Sequence, residues 1–380
     1  MNIFSKHYYR LELLIRLSTK INALKNILAT IIFLLFLSSC EDKEVASADT
    51  KNPLHEISLR NIIDSTLDVN LLKESLDELI ELNYLRAVAI SYNDQLIFDY
   101  FKIGNEEQRY PVYSVTKSVL SAAFGLAFDQ NLIDSEDTTI DSFLNIFNYN
   151  DPEIKKTISV KHLLSMQSGI RDDTNYIRRA EPIKYILDQD LLYAPGKFWN
   201  YSSAGTHILS AVFEKITNKT PEVFVNEHLF EPLGIENYYW EVDANGLSNG
   251  GWGLHLTLHD MIKLGRLYSN DGKWESRQLI SSSWVDRSTL KNQFFSSGSG
   301  SWAYLPNNES GYGYLWWINN INDSKVFSAL GYGGQYIIID KHKKLVIAIA
   351  SKESSTNSYR KKISSIVFED IISIFPQINE

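Results

Sequence analysis

The sequence predicts an α/β (α+β) fold: one antiparallel sheet assembled from both ends of the chain, flanked by helices and carrying a mostly helical insertion over about residues 129–270. Three observations support it. β-rich runs occupy 85–101. They return over 313–350. Between them the texture is helical and loop-rich, and 359–374 has the spacing of a closing amphipathic helix.

In chain order, helical spacing with an acidic outer face predicts an opening helix over 70–82. The runs 85–92 and 95–101 flank Asn93-Asp94, a hairpin signal. A small-residue apolar helix then follows Ser114, with Val115, Val119, Leu120, Ala122, Ala123, Leu126 and Ala127 predicting burial on all sides. Further helices are expected over 157–166, closed by Gly169, and over 205–217. Thr220-Pro221-Glu222 supplies cap, first-turn proline and acid for a helix that Pro232-Leu233-Gly234 ends. Thr257 caps another through Tyr268, and strands are expected at 313–318, 325–330, 335–339 and 345–350.

The composition suits a folded domain: 44% of 380 residues are apolar and 12% aromatic. Net charge is -9, and the first 39 residues are themselves basic, with Lys6, Arg10, Arg16, Lys20 and Lys25 against Glu12. The remainder is therefore near -13, which argues against nucleic acid and against an anionic membrane surface as partners. The apolar run Ile27–Leu37 behind those basic residues is short for a membrane span and has the pattern of an export signal. Leu37-Ser38-Ser39-Cys40 resembles the box of bacterial lipoproteins, and Cys40 is the sole cysteine, which excludes a disulfide framework. Residues 1–39 are thus expected to be a lipoprotein signal peptide, Cys40 the lipidated residue, 40–55 a flexible tether and 56–380 the folded domain of a membrane-anchored, envelope-facing protein. The oligomeric state has no signature in the sequence.

The chemistry is expected at Ser114 and Lys117. A Ser-x-x-Lys pair opening a helix sets a hydroxyl and an amine one turn apart on one face. The same spacing recurs at Ser288/Lys291 and Ser358/Lys361, where polar neighbours predict solvated faces. What separates Ser114 is the apolar helix behind it, in which a lysine has no ordinary place.

Two later segments line up with this pair: Tyr201-Ser202-Ser203, and Tyr332-Gly333-Gly334-Gln335. In this order the three elements resemble the serine β-lactamase and penicillin-binding-protein superfamily, especially its class C-like branch of esterases, D-amino-acid peptidases and aminohexanoate-oligomer hydrolases. The segments 158–170, 194–203, 231–240 and 250–268 are similar to that group as well, so the likeness runs from about residue 85 to the C-terminus. It implies a β-lactamase/transpeptidase-like fold and an acyl-enzyme on Ser114, with Lys117 and Tyr201 as acid/base groups and either one as the first proton acceptor. It further implies oxyanion donors in the backbone N–H groups of Ser114 and Gln335, and a substrate strand at Tyr332, Gly333 and Gly334. Two departures matter. Ser203 stands where the family pattern has asparagine, and Tyr332 where lactamases and peptidases carry a lysine or histidine. Loss of that cation points away from carboxylate-bearing penicillins and peptides, towards small ester or amide substrates.

The alternatives are a D-alanyl carboxypeptidase or β-lactamase on the same fold, and an inactive binding module for cell-wall or glycan fragments. No cofactor is implied. His255 and His259 have helical spacing but lack a third partner of metal-ligand type nearby in sequence, so no metal is expected. Trp240, Trp252, Trp302, Trp316 and Trp317 suit either an apolar acyl pocket or the core.

Overall fold

The computed structural model describes residues 59–60, 66–294, 305, 310–321, 324–353 and 356–378. The expected signal peptide, Cys40, the tether and Trp302 lie outside the described residues. Helix α1 (Val69–Ile80) is capped by the Asp68 carboxylate, which accepts from the N–H groups of Asn70 and Leu71, and it buries Leu72, Leu76 and Leu79. Strands β1 (Leu85–Tyr92) and β2 (Gln95–Phe101) follow. Asn93 (φ 48°) and Asp94 (φ 60°) between them are both left-handed, as a two-residue hairpin with right-handed twist requires. After the short β3 (Tyr110–Pro111) comes α2 (Val115–Asp129), then α3 (Val160–Leu164), α4 (Ser203–Thr217), β4 (Tyr239–Trp240) and β5 (Leu254–Leu256). Helix α5 (Leu258–Ser269) starts at its expected Thr257 cap, and α6 spans Ser282–Ser288.

The chain then returns to the sheet through β6 (Gln293–Phe294), β7 (Gly311–Tyr312), β8 (Trp317–Ile321), β9 (Ser324–Gly331), β10 (Gln335–Asp340) and β11 (Leu345–Ser351), and α7 (Asn357–Ser364) opens the closing helix. The eight-stranded sheet has the order β2-β1-β11-β10-β9-β8-β7-β6, and its pairs are antiparallel. The two ends of the chain meet where β1 pairs with β11, Ile90 opposite Ile347. Every residue of β10 and β11 is buried, so both faces of the sheet are covered. On one face α5 comes so close that a Cβ on Gly265 would lie 2.3 Å from Val346 and 3.0 Å from Ile337. Side chains of alternate parity point the other way. There Tyr92, opposite Leu345, meets Phe375 of the closing segment with ring centroids 5.0 Å apart.

Three expectations need correcting. The strand expected over 313–318 begins only at Trp317, because residues 313–316 leave the ladder to reach the helices. Leu315 is left-handed (φ 63°), its carbonyl accepts from the Ser118 hydroxyl at 2.7 Å, and its N–H donates to Leu164. Helix α5, counted with the insertion, packs instead on the main sheet. Finally, Ser288 is fully buried rather than on a solvated face. Its hydroxyl donates back to the Val285 carbonyl at 3.2 Å, and the helix stops before Lys291 comes round.

Candidate active site

A small three-stranded sheet, in the order β3-β5-β4, delivers the chain to Ser114. Val112 donates its N–H to Leu254, and the Thr116 hydroxyl ties the turn together: it donates to the Tyr113 carbonyl at 2.6 Å and accepts from the Leu254 N–H at 3.1 Å. Tyr113 is thereby held at φ 50°, a conformation that costs a non-glycine residue on the order of 1–3 kcal/mol. Ser114 then occupies the cap position of α2 without spending its hydroxyl on a capping bond. The hydroxyl is free for chemistry.

Lys117 is 1% exposed. Its amine donates to Ser114 Oγ at 3.1 Å, to Ser203 Oγ at 3.1 Å and to the Gly251 carbonyl at 2.5 Å. It also lies over the Tyr201 ring, 4.7 Å from the centroid. Burial disfavours the charged form and lowers the Lys117 pKa to about 7, although the Asp172 carboxylate pulls in the opposite direction. Asp172 in turn accepts the Ser203 N–H at 2.7 Å. The helix-opening position of α4 explains why Ser203 has a hydroxyl to offer: Ser202 does the capping, through its bond from Gly205 at 2.9 Å.

Tyr201 is fixed from behind by aromatic rings. Trp317 stacks on it at 5.9 Å and 26°, with Tyr312 edge-on at 6.3 Å. Trp317 and Tyr312 are buried, so of the tryptophans considered for an acyl pocket, Trp317 serves as a backing for Tyr201. Trp240 and Trp316 are core residues too, and Trp252 is half-buried.

The third element forms the hairpin between β9 and β10. Gln335 is fully buried; its side chain grips Ser351, donating to that carbonyl at 2.9 Å and accepting from that N–H at 3.0 Å. It pairs with Gly331 in the β9–β10 ladder. Gly333 (φ 79°) and Gly334 (φ 99°) are needed for the turn between those strands. Gly331 is where the sheet abuts the turn before Ser114, since a Cβ there would lie 2.2 Å from the Val112 carbonyl. Tyr332, next in the chain, is 45% exposed, and its ring meets that of Tyr113 edge-on at 5.8 Å.

Ser114, Lys117, Tyr201 and Ser203 therefore come together, with Tyr332 beside the turn that leads into Ser114. Sequence reasoning missed Asp172, Gly251 and Gly331. The two histidines serve separate partners: His255 on β5 faces Glu241 at 3.4 Å, and His259 on α5 bonds Asp99 at 2.9 Å. Among the described residues no group of three His, Cys, Asp or Glu is disposed to hold a metal ion.

The chain is similar to known proteins in sequence and in fold. The curated 6-aminohexanoate-dimer hydrolase of Paenarthrobacter ureafaciens is 21% identical over 306 residues, covering 72% of this chain and 74% of its own. A Bacillus anthracis protein provisionally given the same name superposes with a TM-score of 0.65 at 22% identity, over 80% of this chain and 83% of that one. A Bacteroides dorei protein provisionally named a β-lactamase superposes at 0.68 and 21% identity, over 81% and 99%. The family model described as Beta-lactamase matches residues 86–369, and with most of the chain so matched, the protein belongs to the Beta-lactamase family.

Proposed function

We propose that the protein is a serine hydrolase that opens an ester or amide through an acyl-enzyme on Ser114. The observation that carries this reading is the buried amine of Lys117, 3.1 Å from Ser114 Oγ and poised near neutrality. An ammonium has three N–H donors; the neutral amine has two and a lone pair. With the two spent on Gly251 and Ser203, the lone pair faces the Ser114 hydroxyl. Lys117 is then the first proton acceptor, and Tyr201, presenting its ring to the amine, is assigned to the later transfers.

The steps balance without a cofactor. Ser114 Oγ bonds to the carbonyl carbon as its proton moves to Lys117; the C–O or C–N bond breaks as Tyr201 gives its hydroxyl proton to the leaving group and takes the one from Lys117 in its place. Water then attacks the acyl-enzyme, a proton passes back through Lys117, and Ser114 regains its hydrogen. The oxyanion is assigned to the N–H of Ser114 and, in place of Gln335, to that of Tyr332, the residue directly beyond Gly331. A relative named for hydrolysing an aminohexanoate dimer supports an amide of this type as substrate. Tyr332, where carboxylate-binding relatives carry a cation, supports a neutral group at that end. For localisation, the run Ile27–Leu37 and the box ending at Cys40 support export and lipid attachment; radiolabelled palmitate should enter the intact chain and be absent from Cys40→Ala.

Intact-mass spectrometry of residues 56–380 after mixing with a short-chain nitrophenyl ester tests the enzymatic reading. An acyl-sized gain that vanishes in Ser114→Ala supports it. Folded protein that gains no mass, releases no nitrophenol and ignores a fluorophosphonate overturns it in favour of a binding module, and stable labelling by a penicillin instead would point to a carboxypeptidase or β-lactamase.

A further inference from the structure

The Gly251 carbonyl makes the shortest of the bonds to the Lys117 amine, and a network that takes no part in the chemistry holds it there. Gly251 donates its N–H to Asn249 Oδ1 at 3.1 Å. The same oxygen accepts the Tyr176 hydroxyl at 2.8 Å and the Trp252 N–H at 3.4 Å. Asn249 itself has nowhere to shift. It is fully buried, its N–H donates to the Glu241 carbonyl at 2.9 Å, and its carbonyl accepts from the Trp240 indole at 3.0 Å.

The turn is wedged as well as bonded. A Cβ on Gly250 would lie 2.3 Å from Ser210 Oγ and 2.4 Å from the Thr206 carbonyl on α4; on Gly251 it would lie 2.8 Å from the Tyr176 hydroxyl and 2.9 Å from the Ser203 side chain. Only glycines let the backbone thread between α4 and Tyr176 to reach Lys117. Tyr176 is fixed in turn by stacking on His207 at 4.6 Å and 18°, and His207 bonds the buried Asp243 at 2.9 Å.

We propose that Asn249 is a positioning residue for Lys117: by fixing the orientation of the Gly251 peptide it keeps that carbonyl on one N–H of the amine, and so decides where the lone pair points. This rests on the reading of Lys117 as the base. Three donors converge on its one oxygen, one of them the Gly251 N–H. The groups that bear on the amine's charge are Asp172 ahead of α4, Tyr201 at its start and Tyr176 behind Gly251, with His207 and Asp243 beyond the Tyr176 ring.

The test is the pre-steady-state acylation rate with a nitrophenyl ester from pH 5 to 10, in wild type, Asn249→Ala, Asn249→Asp and Tyr176→Phe. Asn249→Ala should acylate about 10–100-fold more slowly on the alkaline plateau, with KM changed less than about threefold, because a misplacement near 1 Å has that effect. Its acid limb should move to lower pH, since the ammonium loses its best acceptor, whereas a general loosening that admitted water would move it upward. Asn249→Asp, which keeps the accepting oxygen, should recover part of the plateau. Tyr176→Phe, which keeps the ring stack and removes one donor, should lose only a few-fold and serves if the alanine variant does not fold. Folded Asn249→Ala and Tyr176→Phe with wild-type plateau and limb would overturn the proposal, as would an upward limb. A wild type that fails to acylate, or a Ser114→Ala that succeeds, would overturn the base assignment first and this proposal with it.

Discussion

Around Ser114 and around Ser288 the chain repeats one spacing, serine then lysine three residues on, with Ser114 half-buried and Ser288 fully buried; the two regions also differ in what the backbone does next. At Ser114 the helix begins, so Lys117 falls on the same face one turn later, within an apolar helix buried from Val115 to Ala127. At Ser288 the helix ends, and the hydroxyl is absorbed by its own backbone at Val285. The third copy, Ser358 and Lys361, sits on an exposed face of α7. The comparison teaches that a nucleophile needs a helix start, an unspent hydroxyl and acceptors that hold the amine, and that burial of the serine alone supplies none of these.

The largest effect that can break the comparison is removal of the nucleophile. Ser114→Ala should lower ester hydrolysis by about 10³-fold or more, measured by nitrophenol release and by loss of the acyl adduct; retained turnover would mean that another serine is the nucleophile. Lys117→Met should lose a similar factor in rate yet fold more stably at neutral pH, because an amine that resists its charge is replaced by an apolar side chain of similar length. Linkage gives the sign. The Lys117 pKa is lowered from 10.5 unfolded to about 7 folded, so between those values the unfolded chain binds more protons. Wild-type stability should therefore rise with pH across that window relative to Lys117→Met, by on the order of 4 kcal/mol in all, and urea titrations at pH 7 and pH 10 check it. In kinetics the same shift predicts that kcat/KM falls as pH drops through about 7, where the amine takes up its proton. A limb near pH 10 would show that Lys117 is an ordinary lysine. The smallest effect sharpens the contrast: Ser288→Ala should leave turnover within about twofold and change stability by about 1 kcal/mol or less, as thermal unfolding would show.

What the sequence made legible is what is local. The Ser114/Lys117 pair, the Asn93-Asp94 hairpin and the caps Thr220 and Thr257 depend on neighbours a few residues away, and each forms as its spacing requires. Tyr201 is legible through the family resemblance of the segment Tyr201-Ser202-Ser203. Gly251 was not, because the atom that matters is a backbone carbonyl and the only trace of it is a pair of glycines within 250–268. Asp172 is one of two adjacent aspartates, and nothing in the sequence distinguishes the one that reaches Ser203. The oxyanion role of Gln335 came with the family resemblance; its side chain turns inward onto Ser351, while Gly331 and Tyr332 lie at the Ser114 turn, a placement that only the tertiary fold supplies. Leu315 escaped for the same reason: a strand-like run is diverted by a hydroxyl, Ser118, that only the tertiary fold supplies.

The pairing of β1 with β11 has a consequence for how the molecule comes into being. Strand β11 lies between β1 and β10, so during synthesis the early hairpin waits, with one edge open, until Leu345–Ser351 has been made. Contacts of such long sequence separation form slowly, and an open apolar edge is a template for association with other chains. A ribosome-stalled or prematurely terminated chain lacking Leu345–Ser351 would keep its N-terminal and C-terminal sheet segments unjoined, each offering an edge. Strand β11, the last in sequence among the described residues, thus joins the two segments, and both open edges close when it pairs with β1 and β10.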